Sequence, residues 1–427
     1  MCIRDRAETT ALSLPSKIGS LVHTPISTTC SEVSYLRRYI RRGGRFSCSS
    51  ATSNLISTPS PTAYREFAEM PCRPAICSHS LGRAWVHDLP AKLSEAAKYG
   101  LDIELFYEDL EYVARTLPGG SLPHNLLAGA HIVRSLCNER GIAVMCLQPF
   151  MHYEGLRNRH KHAQRVDEMK LWLDLAKALG TNLISIPSTF LSKHEVSGDI
   201  DLIVRDLREV ADLGASEGIR FAYESLAWGT YSDTWEQSWQ VVQRVDRPNF
   251  GICLDTFNMA ARMYADPASP SRRNPNAEVE TRASLERLVK TVDVRKIAYV
   301  QVVDAQYLPE PLVEGHEYYD AAQPARMSWS RNCRLFYGEE DRGAYLPVKA
   351  ILKAIFVDLG YEGWVSAEMF NKSLTEPDTS VPAEHARRAA ESWKKIVQDF
   401  GLRGVPTLPK QDNTASVTFE QPPRAQL

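Results

Sequence analysis

Eight short apolar runs, each separated from the next by an amphipathic helical pattern, constrain the fold of this 427-residue chain more than any other feature. The runs are PAICSH (74–79), LDIELFY (101–107), IAVMCLQPF (142–150), NLISIPS (182–188), RFAYESL (220–226), FGICLDTF (250–257), IAYVQVVDA (297–305) and WVSAEMF (364–370). Both alternating faces of these runs are apolar, which suits strands enclosed by a ring of helices. The intervening stretches carry helix start and stop signals. Asp88 precedes LPAKLSEAAKY, which stops at Gly100, and VDEMKLWLDLAKAL stops at Gly180. In the latter, Val166, Met169, Trp172, Leu173, Ala176 and Leu179 fall on one stripe at helical spacing. Similar stripes cover 200–213, 235–245, 283–292, 348–359 and 383–400. Eight β/α units predict an α/β fold of the (β/α)8 TIM-barrel type. A doubly wound open sheet would call for a Gly-rich phosphate loop after the first strand, and SHSLGRAW is not G-x-G-x-x-G.

Two connections are much longer than the others, 258–282 after strand six and 306–347 after strand seven. Loops of this length in a compact domain serve as lids or binding loops, and these two belong to the C-terminal face, where barrels keep their active sites.

The chain's two ends do not share the alternation. Residues 1–69 are Ser/Thr-rich with an Arg cluster, YLRRYIRRGGR. Asp5, Glu8, Glu32 and Glu66 dilute a transit-peptide reading, and a disordered natural extension is a second alternative. The preferred reading is a leader or gene-model artefact, with the true start at Met70, a single catalytic barrel over 70–402 and a disordered tail over 403–427. Lys+Arg 50 against Asp+Glu 52 demands no basic face, so nucleic acid is not an expected partner. No apolar run approaches the roughly 20 residues of a membrane span. Nine scattered cysteines without a C-x-x-C pair read as reduced thiols of a cytoplasmic protein. A homo-oligomer is left open.

Four oxygen donors then stand out: Glu224 (AYES), Asp255 (CLDTFN), Gln301 (YVQVVD) and Glu368 (SAEMF). They lie toward the C-terminal ends of strands five to eight, so four consecutive staves point oxygens at one place. Buried carboxylates without a cation cost several kcal/mol each. A divalent metal resolves that cost, and an all-oxygen set suits Mg2+ or Mn2+, with Co2+ also accepted, better than zinc. Local pairing of each acid with an arginine, or helix capping, is the structural alternative.

The order Glu, Asp, Gln, Glu on strands five to eight resembles the xylose-isomerase-like superfamily of sugar isomerases, epimerases and dehydratases. Within it, ELFYEDL, CLQPFMHYEGL, YESLAWGT, VDRPNFGICLDTFN, YVQVVDA, QPARMSWSRNCRLFYGE and GWVSAEMFN look like the fungal-type 3-dehydroshikimate dehydratases of quinate catabolism, in register from about residue 70 to about 402. Two departures from the broader superfamily are Gln301, where many members carry His, and Asn258, where some bacterial relatives carry a His. The resemblance implies a hydro-lyase that converts 3-dehydroshikimate, a small-molecule carboxylate, to protocatechuate and water. The metal would stabilise the enediolate formed when the C4 proton leaves, before the C5 hydroxyl is lost.

That chemistry asks for a base and for a clamp on the substrate carboxylate. His152, just beyond strand three, is the first candidate base, with Glu154 and His79 as rivals; His160 and His162 read as solvated. For the clamp, Arg326 and Arg331 are the leading guanidinium candidates, with Ser328 and Ser330 as further donors and Arg83 as a third arginine. Trp329, Phe336 and Tyr337 would close over the ring, Trp228 would pack the rim, and Asp304 would orient a metal-bound water. The competing functions are a sugar or polyol isomerase, epimerase or inosose-type dehydratase on the same metal site, and a catalytically inert barrel used for binding.

Overall fold

The computed structural model describes residues 72–402, within which eight parallel strands close on themselves. The strands are β1 (Cys72–Cys77), β2 (Asp102–Phe106), β3 (Val144–Gln148), β4 (Leu183–Pro187), β5 (Arg220–Glu224), β6 (Phe250–Asp255), β7 (Ile297–Gln301) and β8 (Gly363–Ala367). Each pairs with its sequence neighbours, and β8 returns to β1 from Gly363 opposite Cys72 to Ala367 opposite Ile76. Closure leaves no sheet edge, so every strand finds two partners.

The helices that cover the outside are α1 (Leu89–Ala97), α2 (Tyr107–Arg115), α3 (Pro123–Glu139), α4 (Arg159–Leu179), α5 (Ile200–Ala215), α6 (Trp235–Val245), α7 (Thr256–Met263), α8 (Ala277–Thr291), α9 (Ala325–Cys333), α10 (Val348–Leu352) and α11 (Val381–Phe400). Their limits follow local chemistry. Asp88 caps α1 by accepting from Ala91 N, and Gly180 takes the left-handed conformation that ends α4. α6 carries a full capping box between Thr234 and Gln237.

Side chains alternate across the barrel wall. Ile103, Leu147, Ile184, Phe221, Tyr223, Ile252, Leu254 and Val300 belong to the large core between strands and helices. Ala75, Cys146, Leu183, Ala222, Cys253 and Tyr299 form a separate, smaller cluster, which fills the barrel interior. The barrel and its α/β class are therefore as the alternation predicts.

Two differences from the expected elements matter. The strands stop earlier than their apolar runs: after Gln301 the chain leaves the barrel, and Asp304–Ala305 pairs antiparallel with Arg334–Leu335 in a separate two-stranded ribbon. The two long connections are also structured. The first carries α7 and the start of α8, and the second carries α9 and that ribbon. The expectations for 1–69, for a start at Met70 and for the tail 403–427 lie outside the described residues. Among the described residues, no helix is long and apolar enough to cross a membrane. The six cysteines among them are buried and unpaired.

Candidate metal centre

Alternation along each strand decides which way the acidic residues face. Ala222 lies inside the barrel and Tyr223 outside, so Glu224 faces in; the same count from Cys253 turns Asp255 inward, and from Tyr299 turns Gln301 inward. Register then sets them side by side, with Asp255 opposite Gln301 and Gln301 opposite Ser366, two residues before Glu368. Glu224, Asp255 and Glu368 converge: one carboxylate oxygen from each lies within 4.8 Å of the others, and all three residues are almost fully buried.

Each carboxylate is held by neighbours. Asp255 caps α7 by accepting from Asn258 N at 2.9 Å. Asn258 Nδ2 donates to Glu224 Oε1 at 2.8 Å, and Asn258 Oδ1 accepts from Ala227 N, so this side chain ties three segments together. Gln148 Nε2 donates to Glu368 Oε1 at 2.7 Å. Arg334 Nη1 donates to Asp255 Oδ2 at 2.8 Å and to Glu368 Oε2 at 3.1 Å.

Charge bookkeeping shows why a cation fits. Two carboxylates 4.8 Å apart repel by about 3.5 kcal/mol at an effective dielectric near 20. Burial, with repulsion from Glu368 and Asp255, drives the Glu224 carboxyl well above the usual carboxylate range. Burial does the same to Glu368, with Arg334 opposing and Glu104 and Asp255 adding. With all three carboxylates ionised, one guanidinium leaves about two negative charges, which a divalent ion would balance. An oxygen-only donor set is the environment hard cations select.

The structure distributes the other candidates unevenly. His79, in the 3-10 turn after β1, is buried between the rings of Phe106 (4.5 Å) and Phe370 (4.9 Å). Its Nε2 accepts from Arg83 Nη1 at 3.2 Å, and burial, then Arg83 and Lys92, hold the imidazole neutral, well below its ordinary pKa. Phe370 continues to Arg334, whose guanidinium lies 5.1 Å from the ring centroid. His79 and Arg83 thus stand one aromatic layer from the carboxylates. Arg83 also pairs with Glu108 at 3.2 Å. Burial, and then the charge of Arg83, lower the Arg331 guanidinium from its ordinary value. Arg331 Nη1 donates to Gln323 Oε1 at 2.6 Å, and Gln323 Nε2 to Ser328 Oγ at 2.8 Å.

Arg326 is committed elsewhere. It donates to Ala261 O at 2.7 Å, Ala265 O at 3.2 Å and Asn274 Oδ1 at 3.0 Å, pinning α9 to α7 and to the segment after it. It therefore does not join the other two arginines. His152 adopts a left-handed backbone (φ 55°), its Nδ1 meets Thr189 Oγ1 at 3.2 Å, and its ring packs edge-on against Phe190. A non-glycine residue held in that region marks a place where surrounding contacts override local preference. Burial and the nearby Arg165 push the His152 imidazole down to about 4.

Glu154 is engaged by other partners. Its Oε1 accepts from Thr189 N at 2.7 Å and from Tyr223 OH at 3.2 Å, and Tyr223 points away from the barrel interior. Asp304 accepts three backbone N–H groups, from Ala305, Tyr345 and Leu346, and so anchors the long β7–β8 connection. His162 is buried rather than solvated, with Nε2 2.7 Å from Glu209. Trp228 packs against the outer core, and a Cβ on Gly229 would meet Ser232 O at 2.3 Å, so this rim turn has room only for glycine. A groove of about 560 Å³ between α8 and α10 lies on the outer helix ring, so its size does not mark the site.

Two interior residues escaped the sequence reading, Arg334 and Glu104. Arg334 is 1% exposed and also stacks on Phe257. Glu104, on β2, is fully buried and accepts from Tyr299 OH, Gln301 Nε2 and Ser366 Oγ. The signal was available: each is a charge embedded in an apolar run, NCRLFY and DIELFY, the same pattern that singled out Glu224.

An eight-stranded barrel with three carboxylates gathered at the C-terminal ends of β5, β6 and β8 defines the class. The chain belongs to the xylose isomerase-like TIM barrel family, whose model matches residues 93–402. Within it the chain groups with a 3-dehydroshikimate dehydratase of Neurospora crassa, to which it is 55% identical over 343 residues, 78% of this chain and 96% of the relative. A 3-dehydroshikimate dehydratase of Pseudomonas putida is 29% identical over 341 residues, 78% of this chain and 44% of that protein. Among solved structures, a xylose isomerase-like TIM barrel/4-hydroxyphenylpyruvate dioxygenase fusion protein superposes with a TM-score of 0.58 at 27% identity, over 80% of this chain and 45% of that one. The chain thus spans less than half of the bacterial relative and of the fusion protein.

Proposed function

We propose that this protein is a metal-dependent 3-dehydroshikimate dehydratase, forming protocatechuate and water in quinate breakdown. The convergence of Glu224, Asp255 and Glu368 within 4.8 Å carries the metal part of the reading. The dehydratase part rests on the 55% identity to the Neurospora crassa relative along nearly its whole length. Glu224, Asp255, Glu368 and Gln301 would hold one Mg2+ or Mn2+, which when bound supplies Lewis-acid stabilisation of the charge that builds on the substrate's carbonyl oxygen. Among the described residues, the cysteines are buried free thiols, which supports a cytoplasmic location.

The chain's own side chains do the rest. Loss of water from the substrate removes the C4 proton and the C5 hydroxyl, and a final proton shift completes the aromatic ring. His152, just beyond β3, is the base we assign to C4; its imidazole is unprotonated at physiological pH, while its lowered pKa makes it a weaker acceptor than a free imidazole. Arg83 and Arg331 are the pair we assign to the substrate carboxylate, because burial and the charge of Arg83 both work against the Arg331 guanidinium, a cost that an anion between the two would relieve. Arg326, fixed on backbone carbonyls, is left out of that pair. Arg334 stays over the carboxylates, where Phe257 and Phe370 sandwich its guanidinium and exclude water.

The test is direct. Metal-loaded full-length protein given 3-dehydroshikimate should generate the ultraviolet absorbance of protocatechuate, and removal of the metal by a chelator should stop it. Folded, metal-loaded protein that produces no rise overturns the reading.

A further inference from the structure

Gln301 is the one neutral donor in the proposed ligand set, and an amide is two-faced. Its oxygen can ligate a cation, while its NH2 group would repel one. The orientation of this amide therefore decides whether Gln301 serves the metal or opposes it. Glu104 sets that orientation. The carboxylate takes Gln301 Nε2 at 2.8 Å and Tyr299 OH at 2.8 Å on Oε1, and Ser366 Oγ at 2.6 Å on Oε2.

All four of these side chains are buried, so none of these bonds has water as a substitute. An ionised carboxylate only accepts, so with Glu104 ionised the reverse amide orientation would set Gln301 Oε1 against Glu104 Oε1. The bond to Nε2 turns Gln301 Oε1 away from Glu104, and it accepts from the thiol of Cys253 at 3.4 Å, one inward-facing position below Asp255 on β6. Glu104 also has an oxygen within 4.8 Å of one from Glu368, which places it directly against the carboxylate group.

We propose that Glu104 is a positioning residue that locks the Gln301 amide with its carbonyl toward the metal, and that the Glu104–Gln301 pair acts as one unit in metal binding. The inference rests on the metal-centre reading above and extends it by one residue on β2. Partners of this kind, which orient a ligand without touching the ion, are worth 10- to 100-fold in metal affinity in other proteins.

The experiment is calorimetric titration of metal-stripped, full-length protein with Mn2+, with circular dichroism and a thermal melt of each metal-free variant. Glu104→Gln should weaken Mn2+ binding about 10- to 100-fold. The exchanged pair, Glu104→Gln with Gln301→Glu, restores one donor facing one acceptor in the opposite sense and should recover the affinity lost in Glu104→Gln. An unchanged dissociation constant in folded Glu104→Gln overturns the inference, as does an exchanged pair that binds no more tightly than Glu104→Gln alone. Should Glu104→Gln fail to fold, the comparison of Gln301→Glu with the exchanged pair gives the same answer: tighter binding in the pair supports the unit, equal or weaker binding overturns it. Wild-type protein that takes up no Mn2+ overturns the metal-centre reading itself, which separates that failure from failure of the pairing.

Discussion

Arg334 Nη1 lies 2.8 Å from Asp255 Oδ2, an ion pair between side chains that are each 1% exposed or less. The two residues are 79 positions apart, and the pair exists because the ribbon Asp304–Ala305/Arg334–Leu335 carries the end of α9 back over the barrel. Burial works against the guanidinium, but Asp255, Glu368 and Glu224 together outweigh it and hold Arg334 firmly charged. Among the described residues it is the cation that meets two members of the trio directly.

Removing that charge should destabilise the metal-free protein most. Arg334→Met leaves two buried carboxylates without their partner, a loss of about 3–5 kcal/mol. Thermal melts should show a lower Tm in chelator and a larger recovery with saturating Mn2+ than in the wild type, because the metal replaces the missing charge. Equal metal-induced shifts in the two proteins would show that Arg334 and the metal do not share the same carboxylates.

Glu224→Ala and Asp255→Ala should each abolish Mn2+ binding by calorimetry and lower turnover roughly 10³-fold. That corresponds to the loss of about 4 kcal/mol of charge stabilisation. Retention of full metal affinity by either variant would take that residue out of the ligand set.

His152→Ala should keep the metal and lose about 10²- to 10⁴-fold in rate. The pH profile adds a second reading. With the imidazole pushed down to about 4, it is neutral throughout pH 6–8, so kcat/KM should fall only on acidification toward pH 4. An acid limb near the unperturbed histidine value of about 6.5 would point to another base.

Glu154→Gln should preserve turnover within a few-fold, since the residue sits behind β5 with Tyr223. Burial raises its carboxyl to about 7, so the folded chain holds a proton that the unfolded chain releases above about 4.5. Stability from this group is therefore full below about 4.5 and lost as pH rises through about 7. Glutamine cannot ionise, so the variant should melt higher than the wild type at pH 8. A hundredfold loss of turnover instead would return Glu154 to the catalytic role its sequence position suggested.

His385 on α11 gives the opposite slope. Its Nδ1 meets Ser80 O at 2.8 Å, and burial, then Arg388, push it down to about 4. Between about 4 and 6.5 the unfolded chain binds a proton that the folded chain refuses, so stability is full above 6.5 and is lost as pH falls. His385→Gln should flatten the decline of Tm between pH 6.5 and 4.5.

All eight strands were legible because a strand sealed between a packed interior and a helix ring must be apolar on both faces, and that pattern needs no tertiary knowledge. Glu224, Asp255 and Glu368 were legible for a related reason: a charge at the inward-facing end of such a strand breaks the pattern. Glu104 and Arg334 break it equally, yet Glu104 sits in mid-strand and Arg334 in a long connection, where neighbours in the sequence do not reveal who answers the charge.

By itself, then, the sequence determined the barrel, its strand order and the inward face of each acidic residue, since these follow from the periodicity of local burial. Only the tertiary structure decided the partners. It turned Glu154 outward onto Tyr223, committed Arg326 to backbone carbonyls, set Arg331 near Arg83, and brought Arg334 onto Asp255. Those outcomes depend on how closed strands and long connections bring distant residues within hydrogen-bond reach. A hydrogen bond or a buried charge pair is decided over about 3 Å, whereas a period in the sequence fixes only which way a side chain faces.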